Sequence, residues 1–248
     1  MRRLMLSLVG LVACAAAVSS AWAQETVTLT APRGDHTVAG GLSITVDPYG
    51  TFSGALFKPD EGTSAAETTL YSSIFMTSGG SSEFLDQEWL GPKTFSSLGE
   101  HHAISQFTFA ALSIQLSQFV VNHGAGARLV QVYDISNIAP TSFTMTRYFD
   151  GDLLFDGDDD DGAGASTGLR LADQRLAMFD TADNPTDSVG YVAIHVEGGD
   201  VPAGFFEIDE YWELFERVDS GASLDNTVAE DSNGDLMVDL SYDQALAI

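Results

Sequence analysis

The sequence predicts an all-β protein, an antiparallel β-sandwich with one amphipathic helix near its C-terminus. Apolar and polar residues alternate along many short stretches, most clearly from Leu112 to Gln118. Such alternation is typical of strands that have one face in the core and one in water. Turn-forming residues separate the stretches and helical stretches do not alternate with them, which favours an antiparallel sandwich over a parallel sheet.

Shorter stretches with the same alternation predict the other strands. Turns such as Asp47–Gly50 and Asn122–Gly126 lie between them, and each contains glycine. The predicted strands, in chain order, are 26–30, 42–46, 51–57, 102–109, 128–135, 142–149, 175–179 and 191–196. By contrast, residues 156–168 contain mainly Asp, Gly, Ala, Ser and Thr, a composition that predicts a loop.

One segment, Phe205 to Val218, has helical periodicity. Its apolar stripe consists of Phe205, Ile208, Trp212 and Phe215. A stripe at this spacing predicts packing against the sheet, and Glu213 is placed to pair with Arg217 one turn later. The alternative is that these aromatic residues form a sugar-binding platform, which requires Trp212 to face solvent.

The first 23 residues have the features of an export signal. Basic residues precede an apolar stretch from Leu4 to Val18, and an Ala-x-Ala site follows at residues 21–23. Cleavage there leaves residues 24–248 as one secreted or periplasmic β-sandwich domain. The alternative is a lipoprotein, lipidated at Cys14 after the sequence Leu-Val-Ala. No later stretch has the length of a transmembrane helix, and strand-like residues up to Ile248 predict that the chain stops before its last strand.

The chain is strongly acidic. It has 36 Asp and Glu residues against 10 Lys and Arg residues, a net charge of −26. This charge repels nucleic acid and anionic lipid, which argues against both as partners. Two explanations of the acidity remain open, adaptation to a salty medium and the binding of divalent cations. Cys14 is the only cysteine, so the chain after the signal is predicted to have no disulfide.

Two acidic segments begin with the spacing of a calcium-binding loop. The predicted metal ligands are Asp150, Asp152, Asp156, Asp158, Asp160, Asp231, Asn233 and Asp235. Calcium prefers six to eight oxygen ligands, which closely spaced aspartates can supply. Neither segment completes the EF-hand pattern, because Asp161 and Leu236 stand where glycine is required. The sequence therefore leaves two alternatives, calcium as a cofactor or two solvated acidic turns.

The sequence lacks the common motifs of hydrolases, zinc proteases and nucleotide-binding enzymes. Its densest group of nitrogen ligands is Glu100-His101-His102, where a polar loop is predicted to enter a strand at His102. Neighbouring strand residues point to opposite faces, so only one of the two histidines can serve a given site. We therefore predict a non-catalytic binding or surface module. The alternative is a carbohydrate-active enzyme that uses Glu100, His102 or His123 as acid or base.

Residues 128–154 carry a resemblance to known proteins. The stretch Leu129–Asn137, a turn at Pro140 and the stretch Phe143–Leu153 resemble the paired strands of uncharacterised secreted bacterial β-sandwich proteins and, more distantly, of the galactose mutarotase superfamily. Asn122-His123 is similar to the Asn-His that opens a mutarotase motif, but residues 124–126 replace the tyrosine and phenylalanine that should follow. The resemblance implies an antiparallel sandwich but, with this departure from the motif, not the mutarotase activity. The partner of the predicted module remains open, with a carbohydrate or a cell-surface component as the candidates.

Overall fold

The computed structural model of the chain describes residues 26–62, 64–68, 71–85, 93–138, 142–151, 161–166, 175–180, 191–195, 205–228 and 242–247. Within these ranges the protein consists mainly of strands in antiparallel sheets, with one helix near the C-terminus. The predicted fold class is confirmed. The predicted signal, with Cys14, lies outside the described residues.

The largest sheet contains ten strands. Eight of them form its main path, in the order β1 (Val27–Thr30), β2 (Leu42–Val46), β3 (Phe52–Phe57), β5 (Tyr71–Ser78), β11 (Phe143–Asp150), β17 (Tyr242–Ala247), β15 (Phe205–Glu210) and β16 (Thr227–Val228). Two short strands, β4 (Ala66–Glu67) and β6 (Ser81–Phe84), pair with β3 and β5. The β15–β16 pair is parallel, and every other pair among the described strands is antiparallel.

A second sheet has four strands, β10 (Gly126–Asn137), β9 (Leu112–His123), β8 (His102–Phe109) and β7 (Thr94–Ser97), in that order. The inward residues of β9, among them Leu112, Ile114 and Leu116, are buried against Ile74, Met76 and Met145 of the large sheet. Their outward neighbours in β9 are exposed or half-buried. The alternation in the sequence therefore places the core between two sheets packed face to face.

The single helix of the described residues, α1 (Tyr211–Asp219), covers the other face of the large sheet. Leu214 and Val218 pack against Phe75, Tyr148 and Ala245. Neighbouring strand residues point to opposite faces, so β11 sends Met145 towards the four-stranded sheet and Tyr148 towards α1. The four-stranded sheet, the large sheet and α1 thus form three layers of the described residues, with the large sheet in the middle.

The predicted helix from Phe205 to Val218 is wrong in its first part, because Phe205–Glu210 is strand β15. Each residue of β15 pairs with a residue of β17, and this pairing outweighs the local helical periodicity. The helix begins only at Tyr211, after Glu210 in an extended conformation with φ −56° and ψ 142°. The buried positions are consequently Leu214 and Val218, whereas Trp212 is exposed.

The predicted loop at 156–168 is also wrong in part. Strand β12 (Asp161–Ser166) pairs with β13 (Arg175–Asp180), which pairs with β14 (Tyr191–His195) in a small third sheet. A strand ladder is held by backbone hydrogen bonds, so the small residues of β12 can join it without a large apolar side chain. The low-complexity composition concealed a strand that pairs with the next strand along the chain.

The turn between β2 and β3 is enclosed between the two sheets. Oδ1 of Asp47 accepts hydrogen bonds from the N–H groups of Tyr49, Gly50 and Thr51 at 2.8, 2.8 and 2.9 Å. Gly50 has a φ of +99°, and a Cβ at that position would lie 2.0 Å from the hydroxyl of Tyr133. The turn therefore requires glycine for both its backbone conformation and its packing.

The four-stranded sheet supplies donors for the carbonyl groups of this enclosed turn. Nε2 of Gln118 donates to the carbonyl of Asp47, and Nε2 of Gln131 donates to the carbonyl of Gly50, both at 2.7 Å. The Tyr133 hydroxyl donates to the carbonyl of Tyr49 at 3.3 Å. These bonds satisfy polar atoms that would otherwise be costly to bury.

Candidate functional site

The most exposed aromatic side chain of the described residues is Trp212, at the start of α1. It is 69 % exposed, and its ring meets that of Tyr211 edge to face, with centroids 4.8 Å apart. We call the pair Tyr211 and Trp212 the aromatic surface. The sequence prediction that Trp212 packs into the core is wrong, because the register of α1 turns Leu214 inward instead.

The aromatic surface is connected to the core by stacked rings. Phe215 stacks on Tyr211 with centroids 6.0 Å apart and on Phe84 with centroids 5.9 Å apart. Phe84 in turn contacts the buried Phe75 edge to face at 5.2 Å. This column restricts the rotation of Tyr211, so the aromatic surface is largely preorganised for contact with a ligand.

An ion-pair cluster of Glu207, Arg217 and Asp225 fixes α1 to the sheet. Nε of Arg217 lies 3.1 Å from Oε1 of Glu207, and its Nη1 lies 2.5 Å from Oδ2 of Asp225. Glu207 is 1 % exposed, and the N–H of Asp225 donates to its Oε2 at 3.0 Å. Burial raises the pKa of Glu207, while the Asp225 N–H and Arg217 oppose that rise. Arg217 thus pairs with these two residues and not with Glu213, as the sequence had suggested.

Two of these features were missed by the sequence reasoning. Tyr211, directly before Trp212, was not recognised as part of the aromatic surface. Glu207 lies outside the apolar stripe of the predicted helix, which would place it in solvent, whereas it occupies a buried strand position. A polar residue between Phe206 and Ile208 in a run of buried residues is the signal that would have indicated a paired, buried carboxylate.

The histidines and Glu100 do not converge on one site. Glu100 and His101 are exposed ahead of β8, and Nδ1 of His101 lies 2.8 Å from the carbonyl of Thr30. Strand β8 begins at His102, as predicted. Nε2 of His102 lies 2.7 Å from Oγ of Ser117. His102 is opposite Phe119 in the register, four residues before His123 in β9. At about 3.3 Å per strand residue, His102 and His123 are about 13 Å apart, too far to act as one acid–base pair.

The predicted metal ligands fall mostly outside the described residues. Asp150, half-buried at the end of β11, lies within them. The other seven predicted ligands do not, namely Asp152, Asp156, Asp158, Asp160, Asp231, Asn233 and Asp235. No group of three or more metal-ligating side chains occurs among the residues whose positions are described.

A second polar group, around Arg147, lies inside the sandwich. The Arg147 guanidinium lies over the neighbouring rings of Phe52 and Phe149, with its Cζ 5.2 and 5.1 Å from their centroids. Its Nη1 lies 3.5 Å from the Tyr133 hydroxyl, while its Nε and Nη2 donate no hydrogen bond to the described residues. Burial lowers the pKa of Arg147 and raises that of Tyr133. The two rings account for the position of this cation through cation–π contact.

No family model matches the chain, and no curated protein matches it. In the described part of the chain, no helix has the length and apolar character needed to cross a membrane.

Proposed function

We propose that this chain is an exported, non-catalytic β-sandwich module that binds a neutral polysaccharide through the aromatic surface. The observation that carries the proposal is the exposure of Trp212 on a helix that is firmly held to the sheet. The electron-rich face of an indole attracts the polarised C–H groups of a sugar ring, and burial of that face supplies much of the binding energy.

The charges around the aromatic surface indicate the class of polysaccharide. Glu213, Glu216 and Asp219 are exposed on α1, and the whole chain carries a net charge of −26. Acidic polymers such as polygalacturonate would be repelled by this field. A neutral polymer does not experience that repulsion, and its hydroxyl groups can donate hydrogen bonds to the carboxylates.

The test is affinity electrophoresis in gels that contain cellulose derivatives, xylan, mannan or starch, with polygalacturonate as the acidic comparison. We expect at least one neutral polymer to retard the protein and Trp212→Ala to weaken that binding by roughly tenfold or more, the effect of losing a central aromatic anchor. Since Trp212 is exposed, the melting temperature of the variant should remain close to that of the wild type.

Leu98→Ala is the matched control, because Leu98 is 57 % exposed and lies on the connection between β7 and β8, away from α1. Its binding should equal that of the wild type. The proposal fails if no neutral polymer retards the protein, or if Trp212→Ala binds as the wild type does. Robust turnover of a glycoside or ester substrate by the purified protein would contradict its non-catalytic part.

Calcium binding by the acidic segments is a further part of the proposal. Asp150 of β11 is directly opposite Asp243 of β17, which is directly opposite Asp209 of β15. The segment that begins at Asp152 therefore follows β11 at the same end of the large sheet at which β17 begins. In the sequence, one predicted acidic segment follows β11 and the other precedes β17, so we propose that both supply oxygens to a common cation.

Thermal melts in chelator and in millimolar calcium test this part. We expect calcium to raise the melting temperature, because a cation bound only by the folded state adds about 2.7 kcal/mol at a hundred times its dissociation constant. Magnesium and sodium chloride serve as controls for general screening. Replacing Asp156, Asp158 and Asp160 with asparagine should abolish the calcium-specific rise, whereas equal responses to all three salts would exclude a specific site.

Export rests on the features of residues 1–23. Mass spectrometry of the exported protein should find Gln24 at its N-terminus, and a lipid on Cys14 would contradict this.

A further inference from the structure

Strand β10 is the longest edge strand among the described strands. It runs from Gly126 to Asn137 and pairs with β9 at all twelve positions without a register shift. No other described strand pairs with it. An uninterrupted edge of this length presents a row of peptide groups to which another strand can bond.

The peptide groups at this edge can be identified from one hydrogen bond. The N–H of Ile138 donates to the carbonyl of Ala111 at 2.7 Å, which continues the ladder between β9 and β10. Since antiparallel residues alternate in bonding to the two sides, the even-numbered residues of β10 bond to β9. The odd-numbered residues, centred on Gln131, direct their N–H and C=O groups to the open edge.

The outward side chains of β10 carry a self-complementary pattern. Arg128 and Asp134 are both exposed, and they lie equally far on either side of Gln131. Between them are Val130, half-buried, and Val132, 51 % exposed. A strand with this pattern places opposite charges and apolar groups against each other when it meets an antiparallel copy of itself.

We propose that β10 is the interface of a twofold dimer, in which the β10 strands of two copies pair antiparallel about Gln131. This pairing sets Arg128 of each copy opposite Asp134 of the other, and Val130 opposite Val132. The two four-stranded sheets become one continuous sheet. The interface is isologous, so each favourable pair occurs twice.

The charges select this register over its neighbours. Centring the pair on Val132 would set Arg128 opposite Ser136, and centring it on Val130 would set Asp134 opposite Gly126. Neither alternative brings the opposite charges together. A centre between two residues would set each odd-numbered residue of one copy opposite an even-numbered residue of the other. The peptide groups at the edge would then not face each other. Arg128 already contacts His123 within its own chain, at 3.3 Å from Nη2 to Nε2, so its side chain is held on the outward face.

A charge exchange tests the interface by sedimentation velocity over a wide range of protein concentrations, because a small interface associates weakly. Sodium chloride at about 0.15 M limits the repulsion between the two acidic chains to a Debye length of about 8 Å. We expect the wild type to dimerise, and Arg128→Asp or Asp134→Arg to weaken the dimer at least tenfold. The double variant should restore association to within about threefold of the wild type, because it exchanges the two charges.

Asp219→Arg is the matched control, since it makes the same charge change as Asp134→Arg at an exposed position of α1. It should dimerise like the wild type. Circular dichroism melts establish that each variant is folded, and Asp134→Arg leaves the Arg128–His123 contact in place. A wild type that is monomeric throughout, single variants that dimerise normally, or a double variant as weak as the single ones would each overturn the proposal.

Discussion

Replacing Gly50 with alanine is expected to destabilise the fold by about 4 kcal/mol or more, a loss seen only for severe core defects. The φ of +99° at Gly50 is strained for any residue with a Cβ, which costs about 1 to 3 kcal/mol. The added Cβ would also lie 2.0 Å from the Tyr133 hydroxyl and 3.0 Å from Cδ2 of Leu116. Chemical denaturation of the variant and the wild type measures the difference.

Gly99 provides the matched control for this substitution. Its φ of +104° is close to that of Gly50, but a Cβ there meets no atom within 4 Å. Gly99→Ala should therefore cost only the conformational strain, about 1 to 3 kcal/mol. Adding Tyr133→Phe to Gly50→Ala should recover part of the loss by removing the colliding hydroxyl. Equal losses for Gly50→Ala and Gly99→Ala would show that the turn is not tightly enclosed.

Replacing Arg217 with methionine should cost about 2 to 4 kcal/mol at pH 7. This is below the loss for a wholly buried ion pair because Arg217 is 29 % exposed. Methionine keeps most of the apolar stem of arginine. The decrease in the free energy of unfolding therefore measures the removal of the positive charge that pairs with Glu207. Circular dichroism melts at pH 7 give the value, with Glu213→Gln, a change at an exposed position of α1, as the control.

The same variant has a predictable pH dependence. Burial raises the pKa of Glu207 in the folded protein above its unfolded value, so proton uptake favours the folded state. Without Arg217 that pKa rises further. The deficit of Arg217→Met should therefore be largest at pH 7 and shrink as the pH falls through the folded-state pKa of Glu207. In the double variant Arg217→Met/Glu207→Gln, the stability deficit should no longer shrink as the pH falls. A deficit of Arg217→Met that grows on acidification would contradict the pairing of Arg217 with Glu207.

The strands that the sequence predicts well are those with one wet and one dry face. Strand β9 is the clearest case, because buried residues alternate with exposed or half-buried ones from Leu112 to Gln118. Strand β5 was not predicted. It is central in the large sheet, with Ile74 and Met76 buried on one face, Phe75 on the other, and Ser72 and Ser73 also buried. A strand covered on both sides has no alternation to recognise.

The candidate site was less predictable than the fold. The burial of Trp212 could not be predicted, because the sequence does not show where α1 begins. The spacing of Trp212 and Phe215 fits a buried stripe only if the helix already includes the residues before them. That boundary is set by pairing of β15 with β17, whose residues are remote in the chain. Arg147 could not be placed either, because an arginine beside aromatic residues in a strand is compatible with an outward position.

The position of β17 has a consequence for the order of folding. Residues 242–247 lie between β11 and β15 in the large sheet, so both neighbours are synthesised before the strand that joins them. Contacts of such long sequence separation form slowly, because the chain must first close a large loop. The part of the large sheet from β11 to β15 therefore cannot be completed before residues 242–247 have been synthesised. Until then, β11 and β15 each lack the strand that joins them, and the backbone groups that β17 will bond are exposed in the newly made chain.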